Sequence, residues 1–303
     1  MITDWEMIDN RTVADPRAHF AAEPVVSLAD AHVLVLGCGS IGGLGAWGLA
    51  GAGVGTLTLA DRDRLEPANL RRHVCGSEAI GRPKAEAVGG WLRGRFPKLT
   101  TVAHDLCFLD QPDELRDLIS ASEAVLVAVD KEGPKHLIDS MARELRKPVM
   151  YVGVYGGGWA GEVILSDAVA DTPCYACAAR ALGRVGIPVF PADLSDDYAM
   201  PTASVPESDW PRADLTSLMP IASFAARVVV AKLSAARDSS CMLGDLTANG
   251  ATAWRLLLRT IPWWGAGWDI NPVESARFGV CGACSRLPPS QVSYLEELNL
   301  TAR

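Results

Sequence analysis

Ala31-His-Val-Leu-Val-Leu36-Gly37-Cys38-Gly39-Ser40-Ile41-Gly42 is the stretch on which the fold turns. Ala31–Leu36 is a short, Val-rich apolar run ending at Gly37, and it reads as a buried parallel strand. Ile41–Ala52 follows as a helix of small residues. Gly37, Gly39 and Gly42 therefore form a GxGxxG between a strand and a helix. With Ser40, this loop presents backbone N–H groups and a helix N-terminus to phosphate oxygens. Glycine lets the backbone come close because no Cβ intervenes. The pattern predicts a nucleotide site without separating NAD from ATP. The chain has no GxxxxGK[ST], which excludes a P-loop.

Working outward, Thr56–Ala60 is a second strand ending at Asp61, where a carboxylate is placed to bond a ribose hydroxyl. Pro83–Phe96 reads as a helix with Pro83 in its first turn, and Thr101–Ala103 as a weak strand. Gln111–Ser120 is a helix, Ala124–Val129 a strong strand ending at Asp130, Pro134–Arg146 a helix and Val149–Val154 a strand. This β-α alternation predicts an α/β fold, a doubly wound, mostly parallel, Rossmann-like sheet over 31–154, preceded by an arm at 1–30. The half at 155–303 differs. Gly161–Ser166 is a strand, Leu182–Asp214 a crossover loop rich in Pro, Asp and Ser, Thr216–Arg237 an apolar helix suited to burial or a dimer seam, and Ala253–Arg259 a strand. No clean linker or repeat interrupts the chain, so residues 1–303 are expected to form one domain with an elaborated C-terminal half.

The net charge of -8 argues against coating nucleic acid. No run of about 18 uninterrupted apolar residues suggests a membrane span. Met1-Ile-Thr-Asp-Trp-Glu6 lacks the cationic leader of a secretory signal. A cytoplasmic, reducing location is expected, where eight cysteines fit metal binding or chemistry better than disulfides.

Asp61-Arg-Asp63-Arg-Leu-Glu-Pro-Ala-Asn69-Leu-Arg71-Arg72 and Gly81-Arg82-Pro83-Lys84 favour ATP over a dinucleotide. A triphosphate needs cations in a partly dry site, where Coulomb attraction grows. Arg72 can fork onto phosphate, and Lys84 can act as a point charge. Asp130, at a strand end, can hold Mg2+.

On Asp61-x-Asp63…Asn69-Leu-x-Arg72…Gly81-x-Pro83-Lys84 the chain resembles the MoeB/ThiF family, bacterial relatives of ubiquitin-activating enzymes. The resemblance covers nearly the whole chain. It implies that Asp61 contacts the ribose, that Asn69, Arg72 and Lys84 contact phosphates, and that Asp130 supports Mg2+, with Asp63 part of the same nucleotide site. It also implies a homodimer in which Arg11, from Asp9-Asn10-Arg11, reaches the γ-phosphate in the partner subunit. One departure stands out: the family has Asp-Asn and a downstream Arg where this chain has Asp130-Lys131-Glu-Gly-Pro-Lys135.

Cys174-Tyr-Ala-Cys177 and Cys281-Gly-Ala-Cys284 are two CxxC knuckles, whose four thiolates suit one structural Zn2+ stapling the tail to the middle of the chain. The family resemblance implies the same. Cys38, Cys75, Cys107 and Cys241 are left as small buried hydrophobes. Trp254, Trp263, Trp264 and Trp268 read as packing, with a partner platform as the alternative. The histidines show no triad spacing.

The expected reaction is ATP-dependent adenylation of a carboxylate. The resemblance implies a ubiquitin-like or sulfur-carrier protein, or a peptide, as substrate. The rivals are an NAD-dependent oxidoreductase and a non-catalytic subunit of a heterodimeric activating enzyme. Thioester-forming relatives carry a cysteine in the crossover or just before the next helix. Ala178–Arg237 has none, and Leu215-Thr216-Ser217 stands where some relatives read Leu-Thr-Cys. No thioester is therefore expected, Cys75 being the competing acceptor.

Overall fold

The computed structural model describes residues 26–155, 158, 160–170, 172–182, 213–239, 251–257 and 269–273. Arg11, Cys241, Cys281, Cys284, Trp263, Trp264, Trp268 and most of the crossover loop lie outside these residues. The strands are β1 (His32–Leu36), β2 (Thr56–Ala60), β3 (Thr100–His104), β4 (Ala124–Val127), β5 (Val149–Tyr155), β6 (Ala160–Ser166), β7 (Ala253–Leu257) and β8 (Asp269–Pro272). The helices are α1 (Ser40–Gly51), α2 (Lys84–Arg95), α3 (Pro112–Ala121), α4 (Glu132–Glu144), α5 (Tyr175–Ala181) and α6 (Leu215–Arg237).

All the strands join one sheet in the order β3-β2-β1-β4-β5-β6-β7-β8. Pairing is parallel from β3 to β5, as a doubly wound core requires, and antiparallel from β5 onward. The switch has a local cause. Only four residues separate Tyr155 from Ala160, and so short a connection joins neighbouring strands only as an antiparallel pair.

Alternation along the central strands divides the core. Val33 and Val35 of β1 face a layer formed by α1, α2 and α6, while Leu34 and Leu36 face α3, α4 and α5. With both faces covered, β1 reads as an unbroken apolar run. Helix α6 is long and apolar enough to cross a membrane, but 61% of its apolar window is buried inside the protein. Leu218, Ile221, Ala225 and Val229 line its buried face. Gly161 of β6 lies so close beneath that a Cβ there would come within 2.7 Å of Ile221. Asp214 caps α6 by accepting Ser217 N–H at 3.0 Å. Arg237, near its other end, pairs with Asp30 and Glu123 at 3.1 and 3.0 Å, tying the helix to the chain just before β1 and β4.

Two elements, α5 and β8, are absent from the sequence reading. Helix α5 has seven residues, too few for helical periodicity to show.

Candidate active site

The parallel register sets Leu36 level with Ala60 on one side and Val127 on the other. Gly37, Asp61 and Ala128 therefore emerge side by side at the carboxyl edge of the sheet, where strand order reverses about β1. Ligands of open α/β sheets bind at such a crevice.

The glycine loop is shaped by close contact. Gly37 has φ of +87°, and a Cβ there would lie 2.6 Å from the Ala128 carbonyl oxygen. Gly42 packs under it, with a Cβ position 1.7 Å from the Gly37 oxygen, so neither position accepts a side chain. Gly39 is different: a Cβ there would meet nothing within 4 Å. It is the N-cap of α1, which has neither a side-chain cap nor an acidic residue in its first turn. Buried Ser40 is the first residue of that helix. The space beside Gly39, at the amide end of α1, is thus open, as an anion site requires.

Asp61 is tied into this loop. One carboxylate oxygen accepts Cys38 N–H at 2.6 Å and the other accepts Asp63 N–H at 2.8 Å. Burial pushes its carboxyl above the ordinary range, opposed by these two backbone donors and by Lys84. Each oxygen keeps acceptor capacity for a ribose hydroxyl, since a carboxylate offers about four lone-pair sites. Asp63 sits on the rim and holds Lys84 Nζ at 2.9 Å. Lys84 starts α2, and its side chain is largely enclosed. Asn69 ends a short 3-10 turn, Pro67–Asn69, where its Oδ1 accepts Glu66 N–H at 3.0 Å and its amide nitrogen is left as the donor toward an anion. The same turn delivers Arg72, whose N–H donates to the Asn69 carbonyl at 3.0 Å.

Asp130 lies just past β4. Its surface is open to solvent, yet the surrounding protein strips enough water to push its carboxyl upward, as on the floor of a cleft. Lys135, Lys84 and Arg72, in that order, pull the carboxyl back down, and Asp63 adds to the rise. Arg72 and Lys84, read from the sequence as phosphate contacts, thus act on the Asp130 carboxyl together with Lys135, although the three come from separate segments.

His73 was assigned no chemistry from the sequence, yet it pins the site. Buried beside Arg72, its Nε2 bonds the Cys38 carbonyl at 2.9 Å and its Nδ1 accepts Cys75 N–H at 3.1 Å. Nε2 therefore carries the proton and donates. Desolvation lowers its pKa, so it stays neutral. Nothing in its sequence surroundings announces this role. Its neighbour Cys75 is buried, and its thiol is pushed up to about 11 by burial and Glu78, which makes it a poor acyl acceptor. Ser217 is engaged in the α6 cap, its hydroxyl donating to the Asp214 carbonyl at 3.0 Å. The nearby Asp214 carboxyl is held below the usual range by hydrogen bonds from Thr216 and Ser217, and so is a weak base.

Cys174 and Cys177 are buried at the start of α5, one helical turn of thiols. Among the described residues no group of three or more metal-ligating side chains occurs. Two of the four expected ligands lie outside those residues.

Fold and site together define a doubly wound α/β protein with a close-packed glycine loop and a cation-rimmed aspartate. A model of the ThiF family matches residues 15–248, and the chain belongs to that family. It is 31% identical over 166 residues to the molybdopterin-synthase adenylyltransferase of Salmonella typhimurium, covering 54% of this chain and 65% of that one. It is 31% identical over 153 residues to the sulfur carrier protein ThiS adenylyltransferase of Escherichia coli, covering 50% and 59%. A third relative is the adenylyltransferase and sulfurtransferase uba4 of Emericella nidulans, 35% identical over 132 residues and covered to 27% of its length. The chain thus spans between 27% and 65% of the length of these relatives. In fold it is similar to E. coli MccB solved with ATP, with a TM-score of 0.60 at 18% identity, covering 85% of this chain and 68% of that one.

Proposed function

We propose that this chain is a cytoplasmic adenylyltransferase that binds ATP with Mg2+ and activates a carboxylate as its acyl-adenylate. The observation that carries this reading is the meeting of the glycine loop, Asp61 and the Asp63–Lys84 pair at the carboxyl edge of the sheet, with Lys84 and Arg72 also acting on Asp130. In the reaction a carboxylate oxygen of the substrate attacks the α-phosphorus of ATP. The bond from that phosphorus to the bridging oxygen breaks, and pyrophosphate leaves with the electron pair. The α1 amides and Asn69 bind phosphate oxygens, Arg72 and Lys84 neutralise charge, and Asp61 orients the ribose. No protein nucleophile is needed, because catalysis here is positioning and electrostatic stabilisation. Asp130 fits Mg2+, being an open carboxylate at the phosphate end. The metal would supply further charge neutralisation. Cys174 and Cys177 fit half of a Zn2+ site completed by Cys281 and Cys284.

The relatives' names include adenylyltransferases for molybdopterin synthase and for ThiS, and MccB has also been solved with MccA and AMPCPP. A ubiquitin-like sulfur carrier or a peptide C-terminus is therefore the substrate class. The enzyme acts as a homodimer, with Arg11 reaching across. It forms no thioester of its own, a reading supported by the buried, high-pKa Cys75 and the capped Ser217.

The test is ATP–pyrophosphate exchange with candidate carriers and peptides. Exchange that depends on both Mg2+ and a free C-terminal carboxylate is the expected result. Absence of exchange with every carboxylate, together with tight binding of NADH, would overturn the reading in favour of an oxidoreductase.

A further inference from the structure

Lys135 stands where family members carry arginine, and its surroundings show how this lysine is held. It lies in the first turn of α4, only 4% exposed, and a buried ammonium requires compensation. Its Nζ donates to Glu132 Oε1 at 2.9 Å. The Glu132 carboxylate also accepts the Tyr175 hydroxyl, at 2.8 Å on one oxygen and 3.1 Å on the other. The Tyr175 ring lies 5.7 Å from the same ammonium, within reach of a cation–π attraction. Tyr175 therefore grips the pair twice, by its hydroxyl on the acid and by its face on the base. Its own placement is firm: its N–H donates to Asp139 at 3.1 Å, and its ring packs against Tyr151 at 4.5 Å. Tyr175 is also the residue between Cys174 and the rest of the knuckle, on α5. Glu132 and Lys135 together fix the first turn of α4, and that turn starts only two residues after Asp130.

We propose that Lys135, clamped by Glu132 and Tyr175, is a positioning residue for Asp130, and that the knuckle helix α5 acts on the phosphate end of the nucleotide site through this clamp. The proposal rests on the adenylation reading for its activity readout. Its geometry concerns this chain's own residues alone.

The test uses the full chain and compares wild type with Tyr175→Phe, Glu132→Gln, Lys135→Met, Lys135→Arg and the Tyr175→Phe/Lys135→Met double variant. Exchange rate is measured beside affinity for Mg-ATP and for AMP, which lacks the two outer phosphates. Losing one hydrogen bond to a charged group should slow exchange about tenfold in Tyr175→Phe and Glu132→Gln. Lys135→Met should lose more, and the double variant should lose no more than Lys135→Met alone. Lys135→Arg should recover most of the rate. AMP affinity should hold in all of them. Equal exchange in Tyr175→Phe, Glu132→Gln and wild type, multiplicative losses in the double variant, or a parallel fall in AMP affinity would each overturn the clamp. If Tyr175→Phe fails to fold, Glu132→Gln, which keeps the side-chain shape, decides alone. A wild type that binds Mg-ATP without any exchange would defeat the adenylation reading instead, and the two affinities would still judge the clamp.

Discussion

Asp61 and Asp130 are two aspartates at the carboxyl ends of strands flanking β1, and the molecule treats them in opposite ways. Asp61 is buried, with both oxygens receiving backbone N–H groups from the glycine loop and from Asp63. Asp130 is open to solvent and is held by the fields of three cations from α2, α4 and the Arg72 turn. Equivalent positions in the topology thus carry a locked carboxylate and an accessible one. Hydrogen bonds from a rigid backbone fix direction, whereas side-chain cations supply charge and leave the oxygens accessible. A nucleotide site needs both, a fixed ribose end and an accessible metal end.

Exchanging each aspartate for asparagine tests this contrast most directly. On the proposed role of Asp130 as the Mg2+ carboxylate, Asp130→Asn should lower Mg-dependent exchange on the order of a hundredfold or more. Its thermal unfolding should match wild type. A stable protein with undiminished exchange would remove Asp130 from the site. Asp61→Asn should do the reverse in unfolding. Its amide can accept one backbone N–H but turns a donor toward the other, so denaturant unfolding should show a loss of about 2 kcal/mol.

Asp214 supplies the intermediate case, a carboxylate with backbone and hydroxyl donors at an exposed helix end. Asp214→Ala should cost about 1 kcal/mol as a lost N-cap. The sign with pH follows from its depressed folded value. The contribution is present above the ordinary aspartate value of 3.8 and is lost as pH falls through the lower folded one. Unfolding curves of the two proteins should therefore converge in acid.

The smallest effect is expected at His73, which joins the glycine loop to the Arg72 segment. Its folded pKa lies below the ordinary histidine value of 6.5, so the unfolded chain takes up a proton first as pH falls. Wild type should lose stability below about pH 6.5 relative to His73→Gln, and the difference between the two should become constant above it. A difference that does not vary with pH would mean that His73 titrates alike in both states.

The parallel half of the fold was legible because its signals are local. A buried strand is a short apolar run, Gly37 and Gly42 mark where a backbone must pass closely, and Asp61 follows at the spacing of one βαβ turn. The antiparallel additions were less so. Helix α5 is seven residues and β8 four, lengths at which neither helical nor strand periodicity accumulates.

By itself the sequence determined the β-α alternation, the glycine loop and the charged residues that converge on Asp130, since these follow from residue type and spacing along the chain. Tertiary structure alone decided what those residues do to one another. It locked Asp61 to Cys38 across 23 positions, set neutral His73 against the loop across 35, and brought Tyr175 to Glu132 across 43. Such pairings depend on strand register and on how helices pack across a sheet. A local pattern carries none of that information, because hydrogen-bond partners are chosen by proximity in space and the desolvation that makes each bond matter exists only after the layers have closed.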